Sequence, residues 1–160
     1  MANTGGSGDS RNSRCADTRG ATYLWVDFVD ASNEDVTKLE QWLGSLPQAT
    51  IMAYRSKIRL KEKLAAQGKL PDGSAHGVEP VASFPDLYEL HWFFRDRDLR
   101  GTVHVRQYHA EPPSHPKFLV RLHRHVKDID ADDVNDSQNQ QMSFAQLRYI
   151  AGRSTTWDTE

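Results

Sequence analysis

The chain has a single cysteine, Cys15, so it can form no internal disulfide, and a zinc cluster built of several cysteines is excluded as well. It contains no apolar run approaching the roughly 20 residues of a membrane-spanning helix. Its first residues lack the apolar segment of a secretory signal. These absences set the expectation of a soluble, cytoplasmic protein without membrane association. No internal repeat is visible, and 160 residues with a 38% hydrophobic fraction suit one domain with a modest core. Net charge is also nearly absent, at −2, but it is unevenly placed. Residues 1–54 carry −3, residues 55–127 carry +6 and residues 128–160 carry −5, and all seven histidines lie in the middle block. A basic, histidine-rich centre between acidic ends points to a localised anion site.

Residues 1–21 are rich in Gly, Ser, Asn and Asp and have little to bury, which predicts a disordered leader. TYLWVDFVD (22–30) is β-branched and aromatic and predicts a strand. Ser32, with Asp35 three residues on, has the form of a helix-capping box. Val36, Leu39, Trp42 or Leu43, and Leu46 then make a helical stripe that Pro47 ends. A second helix follows over 48–68, with Ile51, Tyr54, Ile58 and Ala65 inward and Gly68 as its stop. Its outer face is crowded by Arg55, Lys57, Arg59, Lys61 and Lys63. Residues 69–86 carry loop signals. Strands over LYELHWFF (87–94), TVHVRQYHA (102–110) and KFLVRLHRHVKD (117–128) are joined by short links and predict an antiparallel meander. A polar loop over 128–140 and a closing helix over 140–153, with Gly152 as its expected stop, complete the domain, 22–152, leaving a tail at 153–160. Strand, two helices, three-stranded meander and C-terminal helix make an α+β fold.

The last strand carries the chemistry. A period of two sets Phe118, Val120, Leu122 and Val126 against Arg121, His123, His125 and Lys127, with Arg124 the one cation on the apolar side. On the strand before it, His104, Arg106 and Tyr108 share a face. Paired in a meander, these two polar sets would line one surface. Histidine moves protons near neutral pH, and Arg and Lys stabilise phosphate charge, Arg with a two-pronged fork. The cationic helix, through Arg55, Arg59 and Lys61, would add contacts to RNA phosphates. Tyr88, Trp92 and Phe94 read as core, and His76 as a solvated loop residue.

LYELHW, VHVRQYHAE, LHRHVKD and FAQLRYIAGR, in that order after a strand and two helices, resemble the RelE/HigB-type toxins of bacterial toxin–antitoxin pairs, a superfamily with prophage-encoded members. LYELHW is similar to the family's "yELR" strand, with His91 in place of arginine. VHVRQYHAE is similar to its "yRvly" strand, which puts Arg106 on the phosphate-facing arginine. LHRHVKD resembles the strand that ends in "F.KK" or "GKR", which puts Lys127, here followed by Asp128, on a basic functional position. The resemblance implies a RelE-like fold and ribosome-dependent cleavage of mRNA, in which the 2′-hydroxyl attacks the adjacent phosphorus and no metal or other cofactor is needed. It implies a protein antitoxin as partner. On this reading the catalytic candidates are Arg106, His123, His125 and Lys127, with His91 and His109 in reserve. Arg121, Tyr108, Arg55, Arg59 and Lys61 are the substrate-binding candidates.

Two other readings compete. One is a metal enzyme using His123 and His125, with His104 or His109 as third ligand, but Arg121, Arg124 and Lys127 around that pair would repel a cation. The other is a non-catalytic member of the same fold that binds RNA, ribosome or protein, to which the absent "ELR" arginine lends weight.

Overall fold

Alternating and helical patterns become a five-stranded mixed sheet with three helices, an α+β fold, in the computed structural model, which describes residues 13–17, 20–28, 34–71, 76–95, 102–128, 134–155 and 157. In chain order these are β1 (Leu24–Asp27), α1 (Glu34–Gly44), α2 (Gln48–Ala66), β2 (Val78–Pro80), β3 (Leu87–Arg95), β4 (Thr102–Ala110), β5 (Phe118–Asp128) and α3 (Val134–Ser154). The strands lie in the order β1-β5-β4-β3-β2. β3, β4 and β5 form the expected antiparallel meander, and β1 runs parallel to β5. β2 falls inside the segment read as loop. It is three residues long and lies at the sheet edge, where Pro80, lacking an N–H, is tolerated.

Helices cover both faces. α1 and α2 place Leu39, Leu43, Tyr54, Ile58 and Ala65 against Tyr88, Leu90, Trp92, Phe94, Val105 and Leu119. Tyr54 stacks on Phe94 with ring centroids 4.2 Å apart. α3 places Met142, Ala145 and Tyr149 against Leu87, Tyr108, Ala110, Val120 and Leu122 on the other face. With both faces occupied, β3 is buried continuously from Leu87 to Trp92. Tyr88, Trp92 and Phe94 are core, as their types suggested.

α2 stops where expected. Gly68 takes φ +67°, its N–H reaches Ala65 and that of Lys69 reaches Leu64, the paired bonds of a left-handed helix end. α3 differs from the expected helix: it begins at Val134, inside the segment read as polar loop, and passes through Gly152 to Ser154. Within it Gln141 stands over His123 of the sheet, while Met142 reaches the core. Gly152 serves packing instead of termination, since a Cβ there would lie 2.2 Å from the ring of Trp157. Ser32, the turn 96–101 and residues 129–133 lie outside the described residues.

The leader also departs from expectation. Residues 14–16 form a 3-10 turn with Cys15 fully buried. The Arg14 guanidinium donates to the carbonyls of Pro112, His115 and Phe118, which ties this turn to the β4–β5 connection.

Candidate functional site

A β-bulge decides which side chains of β5 stand together. His123 lies opposite Tyr108, but the next pair is His109 with Arg121, so Leu122 is an extra residue. One extra residue reverses the alternation beyond it. Arg121 and Arg124 therefore both face α1 and α2, whereas Leu122, His123 and His125 face α3. The expectation that Arg121 shares a face with the histidines is corrected here, and Val126 likewise packs in the α1/α2 core rather than beside Val120.

On the α3 face, β3 and β4 bring together residues that neither strand shows alone. His91 pairs with Arg106 in register, and His104 with Phe93. Arg106 Nη1 donates to Glu89 Oε1 at 2.6 Å, and the same oxygen lies 3.7 Å from His91 Nδ1. His91 Nε2 and His104 Nδ1 are 2.8 Å apart, so one nitrogen donates and the other accepts, and the pair shares a proton. The Arg106–Glu89–His91–His104 chain ends at an open edge, where Phe93 is exposed and stacks on His91 at 4.1 Å.

The other candidates on this face are more enclosed. His125 stacks on Tyr108 with centroids 5.8 Å apart. His123 is held from both sides by α3: Arg148 donates to its Nδ1 at 2.8 Å, so the ring proton sits on Nε2 and points to the Gln141 carbonyl oxygen. That leaves His123 a positioned, buried group rather than one presented to substrate. Tyr108 is fully buried; burial, reinforced by the Glu89 charge, raises its hydroxyl pKa against the opposing pull of Arg106. The Lys127 backbone lies opposite His104, and its side chain is outside the described residues.

Behind the sheet, Arg55, Arg59 and Arg121 meet at a cleft of about 320 Å³ that also holds Arg124, Glu40 and Glu62. Three expected substrate-binding residues thus come together, but on the face opposite Arg106. The charges of Arg55, Arg121 and Arg124 are answered locally. Arg121 binds Asp27 and, at 3.1 Å, Glu62, and its guanidinium lies 5.1 Å over the Trp25 ring. Arg124 binds Glu62 and the Gln107 amide oxygen. Arg55 meets Glu40 at 2.6 Å. Lys61 donates to the His91 carbonyl and lies over Trp92. Burial lowers its pKa to about 8, although Glu79 and Glu89 act the other way.

At the far end of β4, Cys15 Sγ, His109 Nε2 and Glu111 Oε1 converge. Burial, with the nearby Glu111 charge, pushes the Cys15 thiol well above its ordinary range, so it is no thiolate nucleophile. Burial also pushes Glu111 up, but hydrogen bonds from His109, Ser13 and the Arg14 N–H outweigh it and hold the carboxyl below its usual range.

Sequence reasoning did not single out Glu89, Glu62, Gln141, Arg148 or Glu111, and it named His109 as a reserve catalyst or third metal ligand without joining it to Cys15. Glu89, His91 and Phe93 alternate within LYELHWFF, a signal that could have marked one polar face. The others depend on contacts between distant segments. Comparison with protein-family models, with curated proteins and with solved structures gives no match. Among the described residues no helix is long and apolar enough to cross a membrane.

Proposed function

We propose that the chain is a metal-independent endoribonuclease of RelE/HigB type that cuts mRNA on the ribosome, with the reacting phosphate received at the β3–β4 end of the α3 face. The observation that carries this reading is the Arg106–Glu89–His91–His104 chain leading to an open edge beside Phe93. The order of elements supports it too, with β2 as an addition. A neutral imidazole of the His91–His104 pair takes the 2′-hydroxyl proton as the 2′-oxygen bonds to phosphorus. The bond to the 5′-oxygen breaks, an imidazolium returns a proton to that oxygen, and a 2′,3′-cyclic phosphate and a 5′-hydroxyl remain. Arg106 stabilises the crowded phosphate charge, oriented by Glu89. Phe93 offers a ring on which a base can stack. Proton transfer thus moves from His123 and His125 to His91 and His104, and an antitoxin with an acidic surface is the partner this reading implies.

A second reading is a non-catalytic binder on the same face. It is favoured by the ion pair that already engages Arg106 and by the fixed ring of His123. Induction in a bacterial host separates the two. The enzyme predicts growth arrest with mRNA cleavage, lost in Arg106→Ala/Lys127→Ala and reduced at least about 100-fold by Arg106→Ala alone. Unaffected growth and intact mRNA, with RNA still bound by the purified protein, would establish the binder.

A further inference from the structure

We propose that Cys15, His109 and Glu111 form a binding site for a zinc-like divalent cation that fastens residues 13–17 to the end of β4. The three donor atoms are Sγ, Nε2 and Oε1, a set that zinc and similar borderline metals accept. Their spacing fits such an ion. Ordinary zinc bond lengths at tetrahedral angles put sulfur and nitrogen about 3.6 Å apart, nitrogen and oxygen about 3.4 Å, and sulfur and oxygen about 3.6 Å. The separations here are 3.5, 3.0 and 3.8 Å. Hydrogen bonds join the same atoms, His109 to Glu111 and the Cys15 thiol to the same Oε1, so a cation would take their place with release of the thiol proton.

The surroundings are those of a built site. Cys15 and His109 are fully buried and the Glu111 side chain is 5% exposed. Ser13 Oγ donates to Glu111 Oε1 at 2.5 Å and the Arg14 N–H to Oε2 at 2.8 Å, outer contacts that orient a ligating carboxylate. His109 is held between Trp25, edge-on at 5.2 Å, and Tyr88, stacked at 5.6 Å, so its ring cannot turn away. Its Nε2 is the nitrogen that faces both Cys15 and Glu111. Three protein ligands leave one position of a tetrahedral ion open to a further ligand. A cation here would join segments 94 residues apart in the chain and add to the Arg14 contacts that already order the leader. No part of this depends on the RNA-cleaving reading.

The test uses the full chain, stripped with a chelator and titrated with Co²⁺ or Zn²⁺. The expected result is one equivalent bound, with a thiolate-to-cobalt charge-transfer band and the intense visible bands of a tetrahedral ion. Because Cys15 is the sole cysteine, that band reports it alone. Cys15→Ser abolishes the band, and His109→Gln weakens affinity at least about tenfold, with circular dichroism confirming that both fold. X-ray absorption of the zinc-loaded natural chain needs no variant and is expected to find one sulfur neighbour with nitrogen and oxygen. No stoichiometric uptake by the folded chain, a bound zinc without sulfur, or unchanged cobalt affinity in folded Cys15→Ser would overturn the site.

Discussion

β5 presents charged or titratable groups to both faces of the sheet, and the two faces treat them differently. Toward α1 and α2, Arg121 and Arg124 share Glu62 and are further tied to Asp27 and Gln107. Toward α3, His123 is fixed by two residues of the helix, and on the same face the neighbouring strands run Arg106, Glu89, His91 and His104 out to an open edge. The first arrangement closes on itself, while the second leads outward. A block charge of +6 over residues 55–127 therefore overstates the free cation. Four arginines line the α1/α2 cleft, but carboxylates stand beside them.

Carboxylate removal is the strongest way to break this comparison. Glu62 is 15% exposed and serves two arginines that are 18% and 19% exposed. Removing one partner of a largely buried pair costs about 3 kcal/mol or more, so Glu62→Ala should lower the unfolding free energy by that order in urea titration. If the proposed RNA cleavage holds, the folded fraction should keep it. Glu89→Gln takes the counter-charge from Arg106, and there the proposed cleavage should fall with the stability. Loss of cleavage in folded Glu62→Ala, or its retention in folded Glu89→Gln, would erase the division into a structural and a functional face.

A weaker effect comes from Lys61, which reaches the edge of β3 from α2. Its folded-state pKa is about 8 against 10.5 for an ordinary lysine. Between those values the unfolded chain binds more protons than the folded one, so this group makes stability rise with pH from about 8 to about 10. Below about 8 both states are protonated and the burial penalty on the ammonium is fully present. The stability of the natural chain relative to Lys61→Met should therefore grow as pH rises through about 8. Denaturant midpoints that stay parallel across this range would show that the amine is not desolvated.

Local elements were largely legible. Leu39, Leu43, Tyr54 and Ile58 could be assigned to the core because a 3.6-residue period survives in helices that bury one side. Gly68 could be assigned as a stop because a positive φ favours glycine. The site was less legible for a physical reason. A strand buried on both faces loses its polar and apolar alternation, and FLVRLHRHVKD hides a bulge at Leu122 that only pairing with Tyr108 and His109 reveals. His91 and His104 were visible as residues, but their 2.8 Å contact follows from register, which no single strand encodes. Arg14 and Cys15 sit in a segment whose composition says leader, and only contacts with the β4–β5 connection and Glu111 order it.

The smallest expected effect sharpens the comparison most. Glu40 and Arg55 meet at 2.6 Å at the mouth of the α1/α2 cleft, with side chains 54% and 44% exposed. A pair so open contributes under about 1 kcal/mol, and salt screens it. Glu40→Gln should thus move the urea midpoint slightly and leave it unchanged at high salt. The same substitution removes one negative charge beside Arg55 and Arg59. If RNA crosses α2 as well as the α3 face, a short RNA should bind somewhat tighter at low salt, with a steeper salt dependence. If the cleft is purely structural, affinity should not change, and the functional surface narrows to the β3–β4 edge around Arg106, His91 and Phe93.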